Sequence, residues 1–281
     1  MTTDVIVHVG YGKTATTWLQ NKIFSSLGDD VYLGKNQDYF PEWLLKINYL
    51  DDFSYRQQKE QLNKKFTEII KNKEKAIISS EAFTNFGVIF QQIERIAYCF
   101  NIPRIILTVR HPVNWLISNY KYCVEHEGFF QPLEACLDLG EKRTPFALEK
   151  RSPFYLPDLF YDEVVGGYRD VFGSERVLVL KYEDFVSDPQ GYGERLSAFI
   201  GLELPDFVEK AKHKILVSKP EEMIDGQRIT NMVNFIRKSA LNIEVTSIKH
   251  ITPWVLSDET MYKLYHIFNP HCIEFYNNGI F

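Results

Sequence analysis

The chain has 281 residues, of which 45% are hydrophobic and 25% are charged, a balance that suits one large α/β domain. The formal net charge of −5 argues against a basic surface for duplex nucleic acid, so cations that bind a ligand must be local. The four cysteines lie far apart without C-x-x-C spacing, at positions 99, 123, 136 and 272. This argues against a zinc site and a disulfide framework, and it indicates free thiols in a reducing compartment.

The first predicted element is a buried strand over residues 5–9, rich in β-branched side chains. Gly10 and Gly12 allow a tight turn after it, and Lys13 with three threonines leads into a helical pattern from Thr16 to about residue 26. A strand, a short glycine turn and a helix N-terminus gather backbone N–H groups around one point. The segment therefore predicts an anion site, most naturally for a phosphate.

This loop is related to the Walker A pattern G-x-x-x-x-G-K-[ST] but does not fulfil it. Gly12-Lys13-Thr14 matches the end of the pattern, whereas the opening glycine would fall at Val7, inside the strand. The loop is therefore too short to wrap a triphosphate in the Walker manner. A glycine-lysine turn without a ligand is the alternative for this segment alone. His8, in the same strand, is predicted to be a hydrogen-bonded core histidine.

An amphipathic helix over residues 55–71 and a short strand over 76–78 follow, and the strand ends in Ser79-Ser80-Glu81. The carboxyl ends of parallel strands line the ligand crevice of an open α/β sheet. Glu81 is therefore the candidate carboxylate of the site. It lies between the first loop and the next strand.

The next strand, over 104–109, ends in Arg110-His111-Pro112, and the proline suits the first turn of the helix that follows. Arg110 at the strand end and Ser118, about two helical turns on, can reach one pocket. An arginine fork suits a phosphate, and a serine hydroxyl can complete the contact. The alternative is an arginine that caps the strand and a serine packed against the sheet.

A fourth strand, from Val177, runs into Tyr182-Glu183-Asp184. Strands alternate with helices along the chain, which predicts an α/β, P-loop-like three-layer fold with a central parallel sheet flanked by helices. We find no repeat, low-complexity tract or linker. Residues 1–281 are therefore predicted to form a single domain.

Three of these segments, over 5–20, 104–120 and 177–189, resemble the cofactor motifs of the PAPS-dependent sulfotransferases, in the family's order. The resemblance implies PAPS as cofactor and PAP as product. It identifies Arg110 and Ser118 with the 3′-phosphate motif and places Tyr182 near the adenine. Glu183 is interpreted as structural. The 5′-phosphosulfate loop then comprises Gly12, Lys13, Thr14, Ala15, Thr16, Thr17 and Trp18.

The reaction that the resemblance implies is in-line transfer of a sulfuryl group to an acceptor hydroxyl or amine, without a metal. An attacking alcohol must lose its proton, and Glu81 is our candidate general base, as in several carbohydrate sulfotransferases. Lys13 is predicted to stabilise the negative charge that develops on the departing phosphate. A Walker-B-like carboxylate, or a structural partner for Arg110, is the competing interpretation of Glu81.

The acceptor is expected to be a small molecule or a carbohydrate, bound by the aromatic segment 128–161. The alternative is that the rings of this segment belong to the hydrophobic core. His126 is a weaker candidate for the acceptor site. The C-terminal third lacks the family's Arg-Lys-Gly-x-x-Gly loop. The candidates for the residue that closes on the 3′-phosphate are therefore Lys219, Arg228 and the pair at 237–238.

The first strand begins almost at Met1, and no stretch is apolar enough for a bilayer span, so a cytoplasmic enzyme without stable membrane insertion is expected. A catalytic domain excised from a larger protein would look the same. Two other classes stay open: a P-loop small-molecule kinase and a non-catalytic nucleotide-binding module. The paired Arg110 and Ser118 favour a 3′-phosphate, which ATP lacks, and Lys13 with Glu81 favours catalysis over binding alone.

Overall fold

The computed structural model describes residues 3–34, 46–84, 89–137, 154–212, 221–238, 252 and 254–272. Its chain divides into two compact units, which are described separately. The first unit comprises Met1–His111 and Phe160–Ile215, and the second comprises Pro112–Leu159 and Leu216–Phe281. The single domain over 1–281 stays a prediction.

A parallel sheet with the strand order β2-β1-β3-β4 forms the centre of the first unit. The strands are β1 (Asp4–His8), β2 (Lys75–Ser79), β3 (Arg104–Val109) and β4 (Val177–Lys181). All three pairings are parallel, and they place His8 beside Ser79 on one side and beside Ile106 on the other. β1 and β3 are buried on both faces, which is why their sequences are continuous apolar runs.

The helices of the first unit cover both faces of this sheet. They are α1 (Thr16–Trp18), which continues as a π turn (Leu19–Ile23) and a 3₁₀ turn (Phe24–Leu27), α2 (Asp52–Ile70), α3 (Ile89–Cys99), α6 (Tyr161–Phe172), α7 (Tyr182–Ser187), α8 (Pro189–Ile200) and α9 (Phe207–Lys212). On one face, side chains of α1, α8 and α9 form a core with Ile6, Ile77 and Ile106 of the strands. On the other face α6 packs on β3 and β4, α3 packs on α6, and α2 packs on α3. The α/β, P-loop-like prediction is confirmed.

The second unit is helical in its described part. It contains α4 (Pro112–His126), α5 (Leu133–Cys136), α10 (Glu221–Lys238) and α11 (Asp258–Cys272). α4 packs against α10, where the Asn231 amide donates to the carbonyls of Val124 (2.8 Å) and Phe129 (2.9 Å). No helix in the described ranges is long and apolar enough to cross a membrane.

Candidate active site

The loop after β1 has an unusual backbone conformation. Lys13 (φ 68°) and Ala15 (φ 66°) both adopt the left-handed region, which non-glycine residues rarely occupy. Left-handed residues in a turn are typical of the backbone nests that bind anions in P-loops. Gly12 and Lys13 are half-buried at this loop. The loop therefore has the backbone form of such a nest, and binding of an anion there stays a prediction.

Gly10 is required in this loop because the backbone lies against buried polar side chains. A Cβ at position 10 would lie 2.7 Å from Nε2 of His8 and 2.9 Å from Oγ1 of Thr16. Real Cβ contacts are essentially never this short. Gly12 differs, because a Cβ there would meet only Oε2 of Glu81, at 3.7 Å.

Two of the loop threonines direct their hydroxyls into the protein. Oγ1 of Thr14 donates to the carbonyl of Tyr11 (2.5 Å), and Oγ1 of Thr16 donates to the same carbonyl (3.0 Å). Both side chains are about 1% exposed. Their hydroxyls therefore hold the loop itself, and the predicted cofactor contact of these two residues rests on their backbone N–H groups. Thr17 is half-buried.

Trp18 is a core residue by its side chain. It is 3% exposed, and its ring packs against Phe185 (4.7 Å between ring centroids) and Phe207 (5.2 Å). Its contribution to the site is to anchor the start of α1 in the core. A direct role in binding the cofactor stays a prediction for Trp18, as it does for Ala15.

Glu81 lies at the carboxyl end of β2, beside the anion loop. The N–H of Ser80 donates to the carbonyl of His8 (3.1 Å), which joins this strand end to the end of β1. Glu81 then begins a 3₁₀ turn, Glu81–Thr84, and is exposed. Since Oε2 would lie 3.7 Å from a Cβ on Gly12, the carboxylate faces the loop one residue before Lys13.

Arg110 joins the loop to the end of β4. Its Nη1 donates to the carbonyl of Lys13 (3.1 Å), and its guanidinium lies 4.5 Å above the ring of Tyr182. Its Nε is buried without a hydrogen-bond partner. The roles of Glu81 as general base, as Walker-B-like carboxylate and as structural partner of Arg110 all stay predictions.

Two further residues hold the Arg110 segment in place. The hydroxyl of Tyr161 donates to the carbonyl of Arg110 (2.5 Å), and Oε1 of Glu183 accepts from the N–H of His111 (3.0 Å). The structural interpretation of Glu183 is thereby confirmed. Tyr161 is fully buried, so it belongs to the core and not to an acceptor surface. The sequence gives no signal for its role, because only the fold brings α6 to the end of β3.

The remaining candidates lie in the second unit or outside the described residues. Ser118 is half-buried on α4, and its partnership with Arg110 stays a prediction. His126 is exposed at the end of α4, over the ring of Tyr122 (4.6 Å). Arg228 forms a buried ion pair with Asp225 (2.7 Å), and its closing on the 3′-phosphate stays a prediction. Lys219, residues 138–153 of the segment 128–161 and the side chains at 237–238 lie outside the described residues.

No group of three or more His, Cys, Asp or Glu side chains in the described ranges is arranged to hold a metal ion. His8 is fully buried and bonded through both ring nitrogens, to Ser79 Oγ (2.7 Å) and Thr108 Oγ1 (3.3 Å). Burial lowers its pKa to about 3. The prediction of a hydrogen-bonded core histidine is confirmed.

Comparison with known proteins identifies the family. A model of the sulfotransferase family matches residues 6–206, which include the anion loop, Glu81, Arg110 and Tyr182. The chain belongs to the sulfotransferase family. Membership supports sulfuryl transfer as its general activity. A search of curated proteins finds no match.

One solved structure agrees with this sulfotransferase at the level of the fold, and two more are similar over most of their length. A sulfotransferase from Alicyclobacillus acidocaldarius superposes with a TM-score of 0.51 at 17% identity, over 86% of this chain and 98% of that one. A sulfotransferase domain from the curacin biosynthetic pathway gives a TM-score of 0.43 at 14% identity, over 95% and 98%. Mouse sulfotransferase SULT7A1, complexed with PAP, gives 0.35 at 15% identity, over 98% and 85%. The first superposition supports a shared fold.

Proposed function

We propose that this sulfotransferase moves a sulfuryl group from PAPS to a hydroxyl or amine of a small-molecule or carbohydrate acceptor. Glu81 acts as general base, and Lys13 stabilises the departing phosphate. The observation that carries the proposal is the Glu81 carboxylate facing Gly12 in the anion loop, next to Lys13. A base and an anion site then lie where one transferring group can contact both.

The residues around Arg110 fit the 3′-phosphate and adenine of PAPS. Arg110 is a forked cation with a buried, unpartnered Nε, and it lies over an aromatic ring suited to a base. The loop N–H groups, Gly12 to Trp18, suit the 5′-phosphosulfate. A Walker triphosphate site would need a glycine at Val7, which is instead fully buried and paired on both sides within the sheet.

When bound, PAPS supplies the activated sulfuryl group. Glu81 accepts the proton of the acceptor hydroxyl as that oxygen bonds to sulfur and the bond from sulfur to the phosphate oxygen breaks. Lys13 and the loop N–H groups hold the negative charge left on the phosphate, already oriented toward it before the reaction. Transfer is direct, and no covalent bond to the protein forms.

We extend the proposal to the setting of the enzyme. The cysteines at 99, 123 and 136 are free thiols in the structure, which supports a reducing compartment and hence the cytoplasm. We propose a single sulfotransferase domain over residues 1–281, with Ser118 contributing to the 3′-phosphate site.

The test compares Glu81→Gln with Glu94→Gln, an exposed glutamate on α3, in an acceptor screen with PAPS. PAP release is followed by chromatography and sulfonated product by mass spectrometry. We expect Glu81→Gln to lower kcat by about 10²–10⁴-fold, as for loss of a general base, with little change in PAP affinity. Glu94→Gln should retain full activity. Full activity in Glu81→Gln would refute the role as base, and failure of the wild type to bind PAP would refute the proposed cofactor.

A further inference from the structure

A network of buried polar side chains lies beneath the anion loop, on the face of the sheet that α1 covers. It joins α1 to three neighbouring strands. Its members are Gln20, Ser79, His8, Thr108, Thr14 and Thr16, each at most 4% exposed. Buried polar groups cost free energy unless they are hydrogen-bonded, and apolar side chains would fill these positions without that cost. The network therefore calls for a function beyond packing.

The hydrogens of this network can be assigned from its acceptors. The carbonyl of Tyr11 can only accept, so the hydroxyls of Thr14 and Thr16 both donate to it. Each hydroxyl has one hydrogen. In the contact of Thr14 with Thr108 (2.7 Å), Thr108 must therefore be the donor.

The same count of hydrogens shows which ring nitrogen of His8 carries hydrogen. Because the Thr108 hydrogen is already donated, its oxygen can only accept from Nε2 of His8 (3.3 Å), which must carry hydrogen. On the other side, Gln20 Nε2 donates to Ser79 Oγ (3.0 Å). Burial lowers the pKa of His8 to about 3, so the imidazole is neutral with its hydrogen on Nε2, and Nδ1 accepts from the Ser79 hydroxyl (2.7 Å).

One directed chain of hydrogen bonds results. It begins at Gln20 and passes through Ser79, His8, Thr108 and Thr14 to the carbonyl of Tyr11. The Tyr11 carbonyl that receives it belongs to the residue before Gly12, at the start of the loop that contains the left-handed Lys13 and Ala15. The chain thereby connects the ends of all three strands to the conformation of the backbone that binds the anion.

We propose that His8 is a positioning residue for sulfuryl transfer: its Nε2–H, through Thr108 and Thr14, holds the loop in the conformation that binds the phosphosulfate. The role of the loop rests on the proposed function, whereas the direction of the hydrogen bonds does not. His8 contacts neither cofactor nor acceptor. It acts only through the two threonines.

The test breaks the chain at Thr108, where an isosteric variant is available. Thr108→Val keeps shape and burial but cannot donate to Thr14, whereas Thr108→Ser retains the hydroxyl. We expect Thr108→Val to weaken PAP binding at least about tenfold, and Thr108→Ser to stay within about threefold of the wild type.

A second pair of variants tests His8 itself. The Gln amide in His8→Gln reaches the position of Nε2, whereas the shorter amide in His8→Asn does not. Only His8→Asn should weaken PAP binding to the same degree.

Nitrogen-15 NMR of the ligand-free wild type reports the tautomer of His8 without any nucleotide. The Nε2–H tautomer supports the proposal, and an Nδ1–H tautomer or an imidazolium overturns it. Equal PAP affinity in the two Thr108 variants overturns it as well. If the wild type shows the expected tautomer but binds no PAP, the proposed cofactor is wrong and the directed chain stands, so the two failures are distinguishable.

Discussion

Replacing Gly10 with alanine tests the structure of the anion loop most severely. The added Cβ would lie 2.7 Å from Nε2 of His8 and 2.9 Å from Oγ1 of Thr16, and ordinary contacts begin near 3.4 Å. These two groups and Oγ1 of Thr108, which the Cβ would meet closer still, must all withdraw by half an ångström or more. The bond from His8 to Thr108 is already 3.3 Å long, so it cannot stretch further and survive.

The expected loss of stability follows from the bonds that break. Each buried polar group left without its partner costs about 1–3 kcal/mol, and two such bonds are at risk. Alanine has less conformational entropy than glycine in the unfolded chain, and this offsets the loss of stability by about 0.4–1 kcal/mol. The free energy of unfolding should therefore fall by about 1–6 kcal/mol, which lowers Tm by roughly 2–20 °C.

Gly12→Ala is the matched control in the same loop, because its Cβ would make only an ordinary contact, 3.7 Å from Glu81. Its free energy of unfolding should stay within about 1 kcal/mol of the wild type. Thermal and urea unfolding of both variants measure the difference. A Gly10→Ala protein as stable as Gly12→Ala would show that the buried network does not restrain the loop, and the account of the site would fail.

Arg110→Ala should weaken PAP binding by about 10–100-fold while changing AMP binding little, because the lost charge-assisted bonds go to the 3′-phosphate; equal losses for both nucleotides in calorimetry would contradict this assignment. The free energy of unfolding should fall as the pH drops from about 6.5 toward 3, by up to about 1.4 kcal/mol per pH unit, because unfolded His8 binds a proton that the folded form, with its pKa lowered to about 3, does not. Urea unfolding of the wild type and His8→Gln at several pH values tests this, and identical pH slopes would contradict it. Trp18→Ala should cost about 3–5 kcal/mol through the cavity left between Phe185 and Phe207, and a loss below about 1 kcal/mol would show that the start of α1 is not anchored there.

The strands were predictable because parallel strands buried on both faces are continuous apolar runs. The runs at 104–109 and from Val177 coincide with β3 and β4, and the short run at 76–78 lies within β2. The carboxyl ends of these strands carry Glu81, Arg110 and Tyr182. The order of the strands in the sheet brings these three residues close to the loop. The sequence was therefore sufficient to predict which residues surround the site.

The interior of the site was not predictable, because it depends on register. His8, Ser79 and Thr108 are each polar residues near the end of an apolar strand, but only the pairing of β1 with β2 and β3 brings them together. The buried hydrogen bonds of Thr14 and Thr16 to the carbonyl of Tyr11 depend on the folded loop in the same way. The division into two units depends on long-range contacts that no local pattern reports.

We propose above that the anion loop and Arg110 together bind a nucleotide with a 3′-phosphate. Calorimetric titration of the wild type with PAP, and separately with ATP and Mg²⁺, tests it most directly. Tight binding of PAP with weak binding of ATP is the result that the site predicts. Magnesium-dependent binding of ATP with indifference to PAP would contradict it and indicate a kinase.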